Sequence, residues 1–306
     1  MKSWKESFLR FLAVLATFFT FLMLFMGVIV SKTGSGRGCG NSFPFCHGSV
    51  FPKYFYVKTI IEYSHRLVAA IGFFLILALV IALFILIKDK FLSLFSLLSI
   101  FFVFFQGVLG ALTVVFQGEW RRNFFLALHF GFSLLAFTFM FLLTIFLFRK
   151  IEKKNLDFCP SSSFLNFYLW FLLIYSYLVI YTGALVRHSN ATMGCGYNYI
   201  FCGKVFLPNF TTLAGIHLLH RYASFLLLFF VLLLVLYLKF YIRSKRIFKF
   251  SVICLLFLFL QILSGFLNIF SKGNLFSTLL HITLASLYFA FLSLLKADTF
   301  LKGESC

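Results

Sequence analysis

The sequence predicts an all-α polytopic membrane protein with eight transmembrane helices, arranged as two tandem four-helix bundles with both termini cytoplasmic. Three observations lead there. Of 306 residues, 62% are hydrophobic, fifty are Phe, and only 11% are Asp, Glu, Lys or Arg, against roughly a quarter charged in a soluble domain. Eight apolar runs reach the roughly 20 residues that a helix needs to cross the hydrocarbon core. The chain also repeats its rare residues at a near-constant offset. The net charge of +19 would suggest nucleic acid only if it formed a basic face on a soluble domain. Here the Lys and Arg sit mostly in gaps between apolar runs, so lipid is the expected surround and no nucleic acid partner is expected.

The runs fall at about 10–30, 59–87, 91–116, 124–148, 164–186, 212–238, 250–270 and 275–295. None shows the alternation of a membrane strand. Lys2, Lys5 and Arg10 precede the first run as in a signal peptide, but the run is too long and lacks a small-residue cleavage site. It reads as a retained helix. With the N-terminus inside, inner segments carry sixteen of the 27 Lys and Arg and outer segments nine, Arg66 and Arg221 falling within spans. That bias favours cytoplasmic termini. Cys39, Cys46, Cys195 and Cys202 then all lie in outer loops, on the oxidising side where disulfides persist.

The repeat divides the chain. Gly38-Cys39-Gly40 through Cys46 matches Gly194-Cys195-Gly196 through Cys202 at 156 positions. His65-Arg66 matches His220-Arg221, and Gln106 with Gly110 matches Gln261 with Gly265, at 155; His129 matches His281 at 152. The expected halves are residues 1–150 and 164–306, joined by a cytoplasmic linker at 151–163. Each half has an even number of spans, so the two share one orientation.

Ionisable residues within a bilayer are costly and are functional candidates by default. His65, His129, His220 and His281 occupy equivalent places in the second, fourth, sixth and eighth runs. All lie within roughly two turns of the outer end, roughly 9–12 Å at 1.5 Å per residue. One such histidine alone would read as a hydrogen-bonded core residue; four at matched depth in a duplicated frame read as ligands. Haem iron accepts two axial nitrogens and buries its macrocycle between helices, whereas zinc wants three or four ligands. One haem site per half is the expectation. His217 replaces Glu62 of the first half and is a weaker candidate; His47 and His188 fall in loops and receive no ligand role.

Glu62 is the carboxylate placed within a span, three residues before His65 and on a neighbouring face of the same helix. Its absence from the second half separates a reacting site from a holding site. There it would shuttle protons or stabilise developing cationic character; the plainer role is snorkelling or pairing with Arg66. Arg66 and Arg221 are candidates for pairing haem propionates through their planar fork, or for interfacial anchoring. The four loop cysteines allow three pairings, of which closure within each loop is simplest. Such a disulfide would be structural or redox-active, and zinc held by Cys39, Cys46 and His47 would lack the usual short spacing.

Glu62-Tyr63-Ser64-His65-Arg66, the segment Thr33-Gly34-Ser35-Gly36 leading to Cys39, and Cys46-His47-Gly48 within a doubled eight-helix layout resemble the haem A synthase family, in its cysteine-containing bacterial type. The resemblance covers about residues 10–295. It implies oxidation of the C8 methyl of haem O to a formyl group through successive hydroxylations, making haem A for cytochrome oxidase. It further implies that His65 and His129 hold the substrate haem O and that His220 and His281 hold a haem b cofactor. Glu62 would be the essential glutamate, and Cys39 with Cys46 the outer-loop pair. The implied partners are membrane lipid, an electron donor and the haem O synthase (a farnesyltransferase); the implied location is the cytoplasmic (inner) membrane. Phe43 stands where Trp is usual, and the second cysteine loop departs further.

Two other classes compete. A dihaem b-type membrane electron carrier stacks haems near opposite faces, so one helix carries two histidines; here each ligand helix carries one matched histidine. A transporter would break its helices at mid-depth, but Pro44, Pro52, Pro160 and Pro208 all lie in predicted loops.

Overall fold

The computed structural model describes residues 4–115, 119–152, 162–198, 202, 209, 211–242 and 244–300. Most of the expected linker, with Cys159 and Pro160, lies outside them, as do Pro208 and Cys306. The described residues form α1 (Trp4–Lys32), α2 (Val57–Leu86), α3 (Lys90–Val115), α4 (Glu119–Ile151), α5 (Ser163–His188), α6 (Leu213–Tyr241), α7 (Lys245–Phe270) and α8 (Leu275–Phe300). All eight contain a stretch long and apolar enough to cross a membrane. Several outrun the apolar runs, α1 starting at Trp4 and α4 at Glu119. Hydrophobicity marks the hydrocarbon layer, while the hydrogen-bonded helix continues into the interface. A single 3-10 turn at Ala191–Met193 has no counterpart in the apolar pattern.

Helix ends follow local chemistry. Ser162 Oγ accepts from Leu165 N at 3.1 Å before α5, and Thr212 Oγ1 accepts from Gly215 N at 3.0 Å before α6. Asp89 Oδ1 accepts from Phe91 N at 3.0 Å and Leu92 N at 3.1 Å before α3. These caps satisfy amides that have no partner within the helix.

The chain divides into two compact units, Met1–Lys154 and Asn155–Cys306. In the first, α1 packs on α2 and α4, and α3 packs on α2 and α4, closing a four-helix ring. In the second, α5 packs on α6 and α8, and α7 on α6 and α8. Sequential neighbours in a ring are the up-and-down bundle that short loops favour.

Lipid tails are as apolar as Leu, so packing and interhelical hydrogen bonds hold such bundles together. Thr17 and Thr144 place their hydroxyls 2.7 Å apart between α1 and α4, and Thr144 Oγ1 donates to Ala13 O at 3.2 Å. Phe102 stacks on Phe139 between α3 and α4, centroids 5.2 Å apart. In the second unit Tyr168 and Tyr175 of α5 donate to Phe230 O and Ala223 O of α6 at 2.9 and 3.2 Å. Tyr288 of α8 is fully buried and meets Ser176 of α5 at 3.0 Å. Leu169, Leu172, Val231, Leu234 and Leu292 pack in the same core. Phe11, Phe18, Phe74, Phe167 and Phe229 point outward, as lipid contact requires and water would penalise.

Candidate functional site

The first unit folds its disulfide loop, residues 33–56, onto the start of α2. Cys39 and Cys46 form a disulfide, Cα atoms 4.5 Å apart, so their sulfurs offer no thiolates to zinc. Gly38 lies so close to the Lys58 carbonyl that any Cβ would collide with backbone. Thr59 Oγ1 donates to Gly38 O at 2.7 Å. Cys39 N donates to Glu62 Oε2 at 2.8 Å, and Arg66 Nη2 donates to Glu62 Oε1 at 2.6 Å. Arg66 Nη1 reaches Ser42 O at 2.7 Å and Phe45 O at 2.6 Å, with the Phe43 ring 5.4 Å from its guanidinium carbon. Glu62 is buried, 4% exposed. A buried carboxylate requires such partners, and here one comes from the disulfide loop and the other from the next turn of its own helix.

The second unit repeats the docking without the carboxylate. Cys195 and Cys202 pair, Cα atoms 4.7 Å apart, and Gly194 lies against the Leu213 carbonyl as Gly38 lies against Lys58. Arg221 Nη1 donates to Asn198 O, a loop carbonyl, as Arg66 does. His217 occupies the Glu62 position and is buried. Among the described residues, Arg221 Nε and Nη2, and His217 Nδ1, are buried without hydrogen-bond partners.

The four predicted histidines fall into two pairs, one inside each unit. His65 and His129 lie within electrostatic reach of one another, and so do His220 and His281. Each ring lies against a glycine of the preceding helix. A Cβ on Gly27 of α1 would stand 3.6 Å from His65 Cε1, and one on Gly110 of α3 would stand 3.2 Å from His129 Cε1. A Cβ on Gly183 of α5 would stand 2.9 Å from His220 Cε1, and one on Gly265 of α7 would stand 3.3 Å from His281 Cε1. Bare backbone therefore lets the helices close on all four imidazoles. Gly110 and Gly265 were visible as repeat markers; Gly27 and Gly183, which also match at 156, were not singled out.

Hydrogen bonds fix which nitrogen the His129 and His281 rings present. A carbonyl only accepts, so the contact of 2.7 Å between His129 Nδ1 and Gln106 O puts the proton on Nδ1. The Gln106 side chain turns away, its carboxamide oxygen taken by Ser133 and its Nε2 lying 3.2 Å from Met23 Sδ. His281 Nδ1 lies 2.9 Å from Ser264 Oγ, and His281 Nε2 lies 3.2 Å from the Gln261 amide nitrogen, which donates to it. Nδ1 protonated and anchored, with the lone pair on Nε2, is the tautomer of an iron-ligating imidazole; on His281 that lone pair accepts from Gln261 in this structure. Among the described residues no three His, Cys, Asp or Glu converge as a metal cluster. Two imidazoles per unit fit the axial positions of a haem iron and fall short of a zinc set.

Comparison with known proteins points the same way. A profile of the COX15-CtaA family, described as cytochrome oxidase assembly protein, matches residues 53–293. The protein named heme A synthase from Shouchella clausii is 38% identical over 245 residues, 78% of this chain and 79% of that one. Those from Exiguobacterium sibiricum and Alkalihalophilus pseudofirmus are 34% and 33% identical over 295 and 287 residues, at least 93% of this chain and 95% of theirs. With two four-helix units, each carrying a glycine-backed imidazole pair and a disulfide loop, and with relatives matched along nearly its whole length, the chain belongs to the haem A synthase family.

Proposed function

We propose that this multi-pass membrane enzyme of haem A biosynthesis is an oxidoreductase that converts the C8 methyl of haem O to a formyl group, delivering haem A for cytochrome oxidase. The observation that carries the reading is the pairing of imidazoles within each unit, with a buried carboxylate, Glu62, three positions before His65 where the second unit has His217. The first unit is the reaction site, His65 and His129 holding the substrate haem O; the second is the holding site, His220 and His281 ligating haem b. Bound there, haem b supplies one-electron relay. The protein does the rest. Glycine faces orient the ligands, Nδ1 bonds anchor His129, His220 and His281, the disulfide loop covers the outer end, and helix walls exclude water.

Glu62 is the group placed to take a proton as the methyl is oxidised, or to stabilise positive charge developing beside it. Cys39 N and Arg66 hold it in one rotamer. Arg66 is engaged by Glu62 and loop carbonyls and so serves as a clamp on the first loop, whereas Arg221, with unpartnered donors, is the stronger candidate for a propionate. The single matched histidine per ligand helix does not support haems stacked near opposite faces, the arrangement of a dihaem carrier.

We place the protein in the cytoplasmic membrane, both termini inside and both disulfide loops on the oxidising face, with the haem O synthase and an electron donor as partners. Pigment extraction and mass analysis from cells that supply haem O tests the activity. The chain should produce haem A, and His65→Ala or His129→Ala should abolish it while haem b remains bound. Retained turnover in both variants would refute the assignment.

A further inference from the structure

The four imidazoles are alike in placement and unlike in support. Thr182 Oγ1 donates to Val179 O at 2.7 Å, so its oxygen is left to accept from His220 Nδ1 at 2.9 Å. Ser264 Oγ donates to Gln261 O at 2.7 Å and likewise accepts from His281 Nδ1 at 2.9 Å. His129 Nδ1 donates straight to Gln106 O at 2.7 Å. His65 Nδ1 is buried and has no hydrogen-bond partner among the described residues.

The glycine faces sort the rings in the same way. A Cβ at Gly110, Gly183 or Gly265 would approach its histidine to 3.2, 2.9 or 3.3 Å, closer than side chains normally pack, whereas at Gly27 it would rest at an ordinary 3.6 Å. His65 is thus the one ring without an anchor and the one with slack against its neighbour. The repeat supplies the cause. The offset that carries Gly27 onto Gly183 carries Met26 onto Thr182, and a thioether is a weak acceptor where a hydroxyl is a good one.

Resting on the reading of these histidines as axial ligands, we propose that Met26 in place of a hydroxyl makes His65 the labile ligand of the first unit, while His129, His220 and His281 are held. An Nδ1 hydrogen bond fixes the ring orientation and raises ligand basicity; without one, His65 is the weaker donor and the ring free to turn. The first unit therefore yields one coordination position to a small molecule, on the helix that carries Glu62. The second stays closed on both sides, which suits a resident relay group. Thr182 and Ser264 are positioning residues that act through His220 and His281.

Carbon monoxide on the dithionite-reduced, haem-loaded full chain, followed in the Soret band, tests this. In the unaltered chain CO should bind one of the two haems. Met26→Thr should lower that affinity at least about tenfold, the scale of an outer hydrogen bond to a metal ligand, with haem content and the low-spin ferric spectrum unchanged. Thr182→Met should open the second haem to CO, and Thr182→Ser should keep it closed. Gly27→Ala, which takes up slack beside His65, should weaken CO binding even if Met26→Thr fails to assemble. Equal CO affinity at two low-spin haems, or CO binding that neither Met26→Thr nor Gly27→Ala alters, overturns the proposal while leaving the ligand reading standing. A chain that takes up no haem overturns both.

Discussion

Both oxygens of Glu62 are engaged, by the Cys39 amide and by Arg66, which makes the residue a clamp as well as a candidate catalyst. The two roles separate in Glu62→Gln. The amide keeps the shape and one acceptor oxygen, and loses a charge-assisted bond of about 1.5–3 kcal/mol. We expect haem to stay bound and formyl product to vanish; a Gln variant with normal haem A output would leave only the clamp. Gly183 tests the neighbouring unit. A Cβ at 2.9 Å from His220 forces the ring to move, so Gly183→Ala should lose the low-spin signature of the second haem in its electronic spectrum. At this scale the histidines and Glu62 were legible in the sequence, because ionisable residues are rare in a Phe/Leu background. Thr182, Ser264 and Gly27 were not, because Ser, Thr and Gly are ordinary in membrane helices. Their meaning depends on which ring the packing brings against them.

At the scale of an element, the loop at 33–56 is held by one covalent and several polar ties. Closing so short a loop by a disulfide is worth about 2 kcal/mol by loop entropy, and the Arg66 and Thr59 bonds to loop carbonyls add to it. Cys39→Ser with Cys46→Ser should therefore leave the helices intact but make residues 33–56 sensitive to limited proteolysis under all growth conditions. Activity lost only under oxidising growth, with the loop still protease-resistant, would indicate a redox-active pair instead. The corner between α2 and α3 behaves differently. Burial alone would raise the Asp89 carboxyl, but the Lys150 ammonium at 2.7 Å and the Leu92 and Phe91 amides hold it below the usual carboxylate range. A depressed carboxylate stabilises the fold above its unfolded pKa, about 3.9, and that contribution is lost as pH falls through the folded value. Asp89→Ala should cost about 1 kcal/mol as a lost cap in a detergent melt at neutral pH. The deficit should shrink when the melt is repeated under strongly acidic conditions; a constant deficit would assign the effect to packing. The sequence showed the cysteine pairs and the helix count. It could not show that the loop reaches back to Glu62, since Cys39 and Glu62 are 23 residues apart and meet only when the loop folds over α2.

For the whole molecule, orientation is the property most open to test. Reporter fusions active only outside should report after residues 33–56 and stay silent at both termini; an active reporter at either terminus would reverse the proposed topology. Eight spans, two units and four ligand candidates follow from the order of residues alone, because a bilayer accepts only long apolar helices and makes every intramembrane imidazole costly unless it is used. Which imidazoles are braced, and that Arg66 is engaged where Arg221 has open donors, belong to the tertiary structure. A hydrogen bond needs its acceptor within about 3 Å, and only the packing of one helix against the next sets that distance.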